Sequence, residues 1–254
     1  MLNPHGTVHR KLLPWCVRRY AGRVSDIASN VEAVRGRIGA ACERVGRNSA
    51  EVQLVAVGKK FTADIIRDAA EAGLTVFGEN RVQEARVKIP ECPGHLRWHF
   101  IGNLQTNKCR EAVDLFEMLH AVDSARLAAE LNKRCEQAAK VMPVLLEVNV
   151  SGEGSKHGLA PAEAAALVDA FADWPQLELH GLMTMAPYTR EPESTRPFFK
   201  RLAKVRTTCE DRLGAPLPEL SMGMSGDFEV AIEEGATLVR LGTVLFGPRT
   251  GTRL

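Results

Sequence analysis

Apolar residues recur along this chain in two alternating rhythms. From Ser25 onward, Ile27, Val31, Val34, Ile38 and Val45 fall at three-, four- and seven-residue steps, which predicts an amphipathic helix with Ser25 as its N-cap. Beyond it, short apolar runs alternate with helical stretches. Strands are expected at Val52–Val57, Thr75–Phe77, Arg97–Ile101, Met118–Val122, Val144–Val150, Leu177–Met183, Glu219–Met222 and Thr237–Leu241. Helices are expected at Ala63–Ala72, Arg81–Lys88, Gln105–Val113, Ala125–Ala139, Pro161–Ala172, Glu193–Leu213 and Asp227–Glu234, with a short turn after Gly242. Eight strands, each followed by a helix or turn, read as a single α/β unit, a (β/α)8 TIM barrel with an extra N-terminal helix. The competing layout is an open doubly wound sheet, but no GxGxxG follows the first strand. No linker, repeat or low-complexity tract divides residues 25–254, so they form one domain.

Composition narrows the function classes. The 254 residues are 45% hydrophobic, enough for a large core, and no apolar run approaches the length of a membrane span. A net charge of +2 does not argue for nucleic acid or an anionic membrane as partner. Six cysteines lie scattered with no CxxC pair, a pattern of reduced thiols in a cytoplasmic protein. The small net charge hides an asymmetry. Residues 1–24 hold five basic residues and no acid, leaving −3 on the rest. This basic extension reads as disordered or as the product of an upstream start codon, with a transit peptide disfavoured by its low serine content.

Polar residues within the strands point to a site. In a barrel the outward side chains pack beneath helices, so a polar strand residue either faces inward or lies at a strand end. Val55, Val57 and Lys59 share one face, which places Lys59 in the C-terminal mouth and turns Lys60 the other way. On the fifth strand Glu147 and Asn149 share a face; they form either a satisfied structural network or part of a site. Arg240 and Gly242 share a face of the eighth strand, and an arginine there calls for an anionic or ring-nitrogen partner. Ser221-Met-Gly-Met-Ser-Gly226 and the turn Leu241-Gly-Thr243 offer backbone amides as a phosphate cradle. An inward lysine beside such a cradle suits a phosphorylated aldehyde or ketone held as a Schiff base. Other candidates are weaker. His5/His9 and His95/His99 lack the helix or third ligand of a zinc site, and Gln105, Asn107, Lys108 and Lys156 read equally as loop polarity.

Several of these segments together carry a resemblance. They are Val55-Ala-Val-Gly-Lys59, Phe77-Gly-Glu-Asn-Arg-Val-Gln-Glu84, Trp98-His-Phe-Ile-Gly-Asn-Leu-Gln-Thr-Asn-Lys108 and Glu147-Val-Asn-Val-Ser151. Ser155-Lys-His-Gly158, Gly181-Leu-Met183, Leu220-Ser-Met-Gly-Met-Ser225 and Val239-Arg-Leu-Gly-Thr243 complete the set. Over roughly residues 25–249 the chain resembles the pyridoxal 5′-phosphate homeostasis proteins (the YggS/PROSC family). The resemblance implies a barrel similar to the N-terminal domain of bacterial alanine racemase, with pyridoxal 5′-phosphate (PLP) joined to Lys59 as a covalent aldimine. It implies further that Asn80, Ile101 and Met183 line the ring, that Ser225, Gly242 and Thr243 hold the phosphate, and that Arg240 faces the pyridine nitrogen. Many members read Val-Ser-Lys-Thr where this chain has Gly58 and Lys60.

The implied role is a cytoplasmic, monomeric PLP carrier of vitamin B6 homeostasis, passing PLP to apo-enzymes, with no nucleic acid or membrane partner. The alternative is a weak PLP-dependent racemase or lyase. Racemisation needs a second acid/base opposite the lysine, in related racemases a tyrosine from a C-terminal domain. Here the tyrosines are Tyr20, in the unmatched tail, and Tyr188, after the sixth strand. A cofactor-free Schiff-base aldolase is a third and poorer reading. The expectation is therefore a protein that binds PLP without turnover.

Overall fold

The computed structural model describes residues 14–153 and 157–247, with side chains described from residue 26 onward. Eight parallel strands close into a barrel in chain order: β1 (Gln53–Val57), β2 (Val76–Glu79), β3 (Arg97–Phe100), β4 (Met118–Val122), β5 (Met142–Glu147), β6 (Leu177–Met183), β7 (Glu219–Ser221) and β8 (Leu238–Leu241). β8 pairs back onto β1 with Val55 opposite Arg240, so no strand is left as an edge. The helices are α1 (Pro14–Arg44), α2 (Ala63–Glu71), α3 (Val82–Lys88), α4 (Cys109–Leu115), α5 (Ala125–Gln137), α6 (Pro161–Leu167), α7 (Arg196–Leu213), α8 (Phe228–Glu233) and α9 (Thr243–Phe246). This is the predicted TIM barrel with its additional N-terminal helix. Among the described residues no helix is long and apolar enough to cross a membrane.

Two expectations at the ends of elements need correcting. The first helix does not begin at Ser25: α1 starts at Pro14, so Ser25 lies within the helix and not at its N-terminus. A proline is well suited to a first helical turn, where its missing N–H has no partner to lose. Val45 also falls beyond the helix and is 42% exposed. The buried stripe of α1 is Ile27, Val31, Val34 and Ile38, each contributing about 2 kcal/mol by leaving water. That stripe faces α8 and α9, where Asn30 donates to the Leu245 carbonyl at 2.9 Å and Arg37 pairs with Glu229 at 2.9 Å. The second correction concerns β5, which stops at Glu147 and leaves Asn149 in the following loop. There the Asn149 side chain accepts from the Ser151 hydroxyl and the Gly152 amide and donates to the Glu153 carbonyl. Asn149 shapes a turn.

Two apolar clusters sort the strand faces. Val55, Val76, Leu145, Met183 and Leu238, with Met118 against them, fill the barrel interior. The much larger second cluster lies between sheet and helices and includes Leu54, Ala56, Phe77, Phe100, Leu146 and Val239. The neighbours of each interior residue thus face outward, the alternation that parallel strands covered by helices require. Lys156 and the His5/His9 pair lie outside the described residues.

Candidate functional site

The C-terminal ends of β1, β2, β3, β6 and β8 bring the expected residues into one mouth. Val55 faces inward and Lys59 continues its phase two steps beyond Val57, half-buried at the rim. The chain turns immediately after it. Phe61 N donates to the Gly58 carbonyl at 3.0 Å, and Lys60 takes φ +67°, the left-handed third position of a type II-like turn. That turn leaves Lys60 exposed while Lys59 stays half-buried. Ile101 follows β3 and covers Gly78 of β2, and Asn80 is half-buried just past β2. Met183 is 1% exposed and packs with Val55, Val76, Leu145 and Leu238, so it forms the floor of the mouth.

Arg240 lies inside the barrel, 4% exposed. Its Nη1 donates to Ser221 Oγ at 2.6 Å and its Nη2 to the Thr184 carbonyl at 2.9 Å. The hydrogen bonds run on through two buried histidines, His120 and His99, which were not among the expected site residues. His120 Nδ1 lies 2.9 Å from Ser221 Oγ, and His120 Nε2 lies 3.1 Å from His99 Nδ1. An arginine can only donate, so Ser221 accepts from it; the chain is fully satisfied with the tautomer in which the Ser221 hydroxyl donates to His120 Nδ1 and His120 Nε2–H donates to His99 Nδ1. Burial holds both imidazoles neutral, lowering His99 to about 4 and His120 well below its usual value. Burial also lowers Arg240, to about 10, against the attraction of Glu147 and Asp227. At neutral pH the guanidinium therefore keeps its charge.

Past β8 and β7 two loops meet at a hydroxyl. The amides of Gly242 and Val244 both point at Ser225 Oγ, at 3.3 and 3.4 Å. These contacts are longer than the usual 2.9–3.0 Å for N–H···O, so the two donors converge on a spot that the hydroxyl only loosely fills. Val244 was not among the expected residues; Thr243, between the two amides, is exposed. The glycine-rich loop supplies fewer amides than expected, because Met224 N already donates to Asp227 Oδ1 at 2.6 Å. Gln105 and Lys108 line a groove together with Asn80, Arg81, Gln83 and Asn103.

Glu147 is another buried polar residue of the interior, 4% exposed. Burial first, then repulsion from Asp123, raises its carboxyl to about 7, with Arg240 and His157 opposing. The consequence for stability has a definite sign. Unfolded, the group ionises near 4.5; folded, near 7, so the native state binds the extra proton in between. Its stabilising contribution is complete below pH 4.5 and lost by pH 7. Glu147→Gln should therefore match the parent at pH 4.5 and exceed it at pH 8 by on the order of 2 kcal/mol. Urea unfolding at the two pH values measures the difference, and equal midpoints at pH 8 would refute it. His99 and His120 act oppositely, stabilising above pH 6.5 and weakening the fold as pH falls.

Comparison with known proteins places this geometry in a class. Residues 27–250 match the family model described as alanine racemase, N-terminal domain. Alanine racemase from Corynebacterium glutamicum shares the fold, with a TM-score of 0.71 at 19% identity over 89% of this chain and 62% of that one. Nearer relatives are more specific. The pyridoxal phosphate homeostasis protein of Aquifex aeolicus is 44% identical over 225 residues, covering 88% of this chain and 99% of its own. That of Escherichia coli K12 is 40% identical, covering 89% and 98%. PipY of Synechococcus elongatus, solved with PLP bound, is 35% identical with a TM-score of 0.76, covering 87% of this chain and all of its own. The chain belongs to the pyridoxal phosphate homeostasis protein family, within the alanine racemase N-terminal domain class.

Proposed function

We propose that this protein binds PLP in the barrel mouth for intracellular vitamin B6 homeostasis and holds it without turning over a substrate. One juxtaposition supports the reading: β1 and β8 pair in parallel with Val55 opposite Arg240, so the segment after β1 that holds Lys59 and the segment after β8 that holds the Gly242 and Val244 amides leave the barrel from neighbouring strands at the same end. An amine, two converging amides and a buried cation suit an aldehyde that bears a phosphate and a ring nitrogen. PLP supplies the aldehyde. The Lys59 amine would add to the aldehyde carbon, with C=N replacing C=O and one water leaving. Ser225 and the amides of Gly242 and Val244 would take the phosphate, with Asn80 and Ile101 beside the ring and Met183 beneath it. The relatives' names and the PLP found in PipY support this choice of ligand.

The surroundings of Arg240 suit a ring nitrogen held unprotonated, a feature that by itself does not separate holding from catalysis. Its two hydrogen bonds go to neutral groups, so its charge is not cancelled by a directly bonded carboxylate. A cation facing a ring nitrogen disfavours protonating it and weakens the ring as an electron sink. Tyr188, the candidate second base whose side chain is described, is 92% exposed on the loop after β6. The protein acts in the cytoplasm, as a monomer that passes PLP to apo-enzymes.

The test combines two measurements on one purified sample. Adding PLP should give the near-visible absorbance of a Schiff base, while amino acids in deuterated water should show no exchange of the α-proton. Catalytic exchange that disappears in Lys59→Ala would instead establish the racemase or lyase reading.

A further inference from the structure

Behind the Lys59 turn sits a buried ionic cluster on the outer side of the sheet. Lys88, near the end of α3, is 6% exposed and points its ammonium back at β1 and β2. It donates to the Gly58 carbonyl at 2.7 Å, to Glu79 Oε1 at 2.6 Å and to Glu84 Oε1 at 2.8 Å. An ammonium has three donors, and all three are used. Glu79 is fully buried, and its Oε1 would lie 2.7 Å from a Cβ on residue 58, so a side chain there would require the Glu79 carboxylate to shift.

The same cluster grips the turn at two points. Gly58 O accepts both from Lys88 and from Phe61 N, the bond that closes the turn. Glu84 Oε1 accepts both from Lys88 and from the amide of Lys60, at 2.5 Å. Lys60 is a side-chain-bearing residue at φ +67°, a conformation that L-residues avoid unless something holds it. Two carboxylates face one ammonium here, and the Lys59 charge also acts on Glu79. The cluster therefore does more than anchor α3. It also holds the turn that separates two adjacent amines.

Resting on the PLP-binding reading above, we propose that Lys88, Glu79 and Glu84 are positioning residues that lock the Gly58–Phe61 turn and so present Lys59, and not Lys60, to a phosphorylated aldehyde. The telling substitution is Glu84→Leu. It removes the acceptor of the Lys60 amide yet leaves Lys88 paired one-to-one with Glu79, so no buried charge is stranded. Glu84→Gln keeps a carbonyl oxygen for both donors and serves as the conservative control.

Three readouts in the full-length protein decide the matter: hydrogen exchange of the 58–61 segment without ligand, the rate of Schiff-base formation with PLP, and the lysine labelled after borohydride reduction. In Glu84→Leu the segment should exchange faster, and the Schiff base should form on the order of tenfold more slowly, because the turn is no longer held left-handed. Part of the label should move to Lys60. Glu84→Gln should behave as the parent, and circular dichroism should show all three proteins folded. A parental rate with label confined to Lys59 in Glu84→Leu would overturn the positioning role, as would equal losses in Glu84→Gln. Absence of any Schiff base in the parent would overturn the PLP reading itself, an outcome distinct from either.

Discussion

Lys59→Ala should abolish the near-visible absorbance of the PLP complex and leave no borohydride label on the 53–62 segment. The reason is geometric before it is chemical. Val55 faces the barrel interior, and strand alternation carries that face through Val57 to Lys59. Lys60 cannot substitute, because the left-handed turn sends it outward, where it is exposed. Lys60→Gly removes the second amine and relieves the φ +67° conformation, so that variant should keep the full absorbance. PLP should still associate with Lys59→Ala through the phosphate cradle, visible as quenching of protein fluorescence reversed by dialysis. Absorbance that survives in Lys59→Ala and vanishes in Lys60→Gly would transfer the assignment to the neighbouring lysine.

The largest expected effect on the fold comes from Gly181→Ala. Gly181 of β6 stands opposite Glu219 of β7. A Cβ there would sit 1.8 Å from the Glu219 carbonyl oxygen and 2.7 Å from its carbon. Both atoms are backbone, so no side-chain rotation can relieve the contact. The two strands would have to part at the first pair of their ladder, beside the Met183–Ser221 pair that underlies Arg240. A loss of about 4 kcal/mol or more is expected, against a total stability of roughly 5–15 kcal/mol for a domain. Soluble yield and the urea midpoint measure it directly. A variant within about 1 kcal/mol of the parent would show that β6 and β7 can separate without harm.

Most of the barrel was legible in the sequence because strands covered on both faces read as apolar runs of the right length, as with Met118–Val122 and Leu177–Met183. The mouth was legible for a related reason: Arg240 and Glu147 break those runs with charge, and a buried charge needs a partner. The same rule would have found His99 and His120. Their pairing depends on register between neighbouring strands, which a 21-residue separation along the chain does not reveal.

The interior of β6 was hidden for another reason. Strict alternation places Leu179, Gly181 and Met183 on one face, but the pairing with β5 skips His180, and the phase resets there. Leu179 packs outward and Met183 inward. Asn149 was misplaced because Val148 and Val150 are buried beyond the strand end, extending its apolar rhythm into a loop. Lys88 and Glu79 looked like an ordinary helix charge and an ordinary motif residue; only the fold brings them together.

Closure of β8 onto β1 has a consequence for the life of the chain before it is complete. Lys59 directly follows β1, while Arg240 and the amides of Gly242 and Val244 are made only with β8 and the segment after it. On the ribosome, a nascent chain carries Lys59 long before the segments proposed to hold a phosphate next to it exist. Pairings between such distant segments also form slowly, since their closure entropy must be overcome first. On the proposed function, ligand capture would wait on synthesis of β8, and a chain terminated before it should not retain the cofactor.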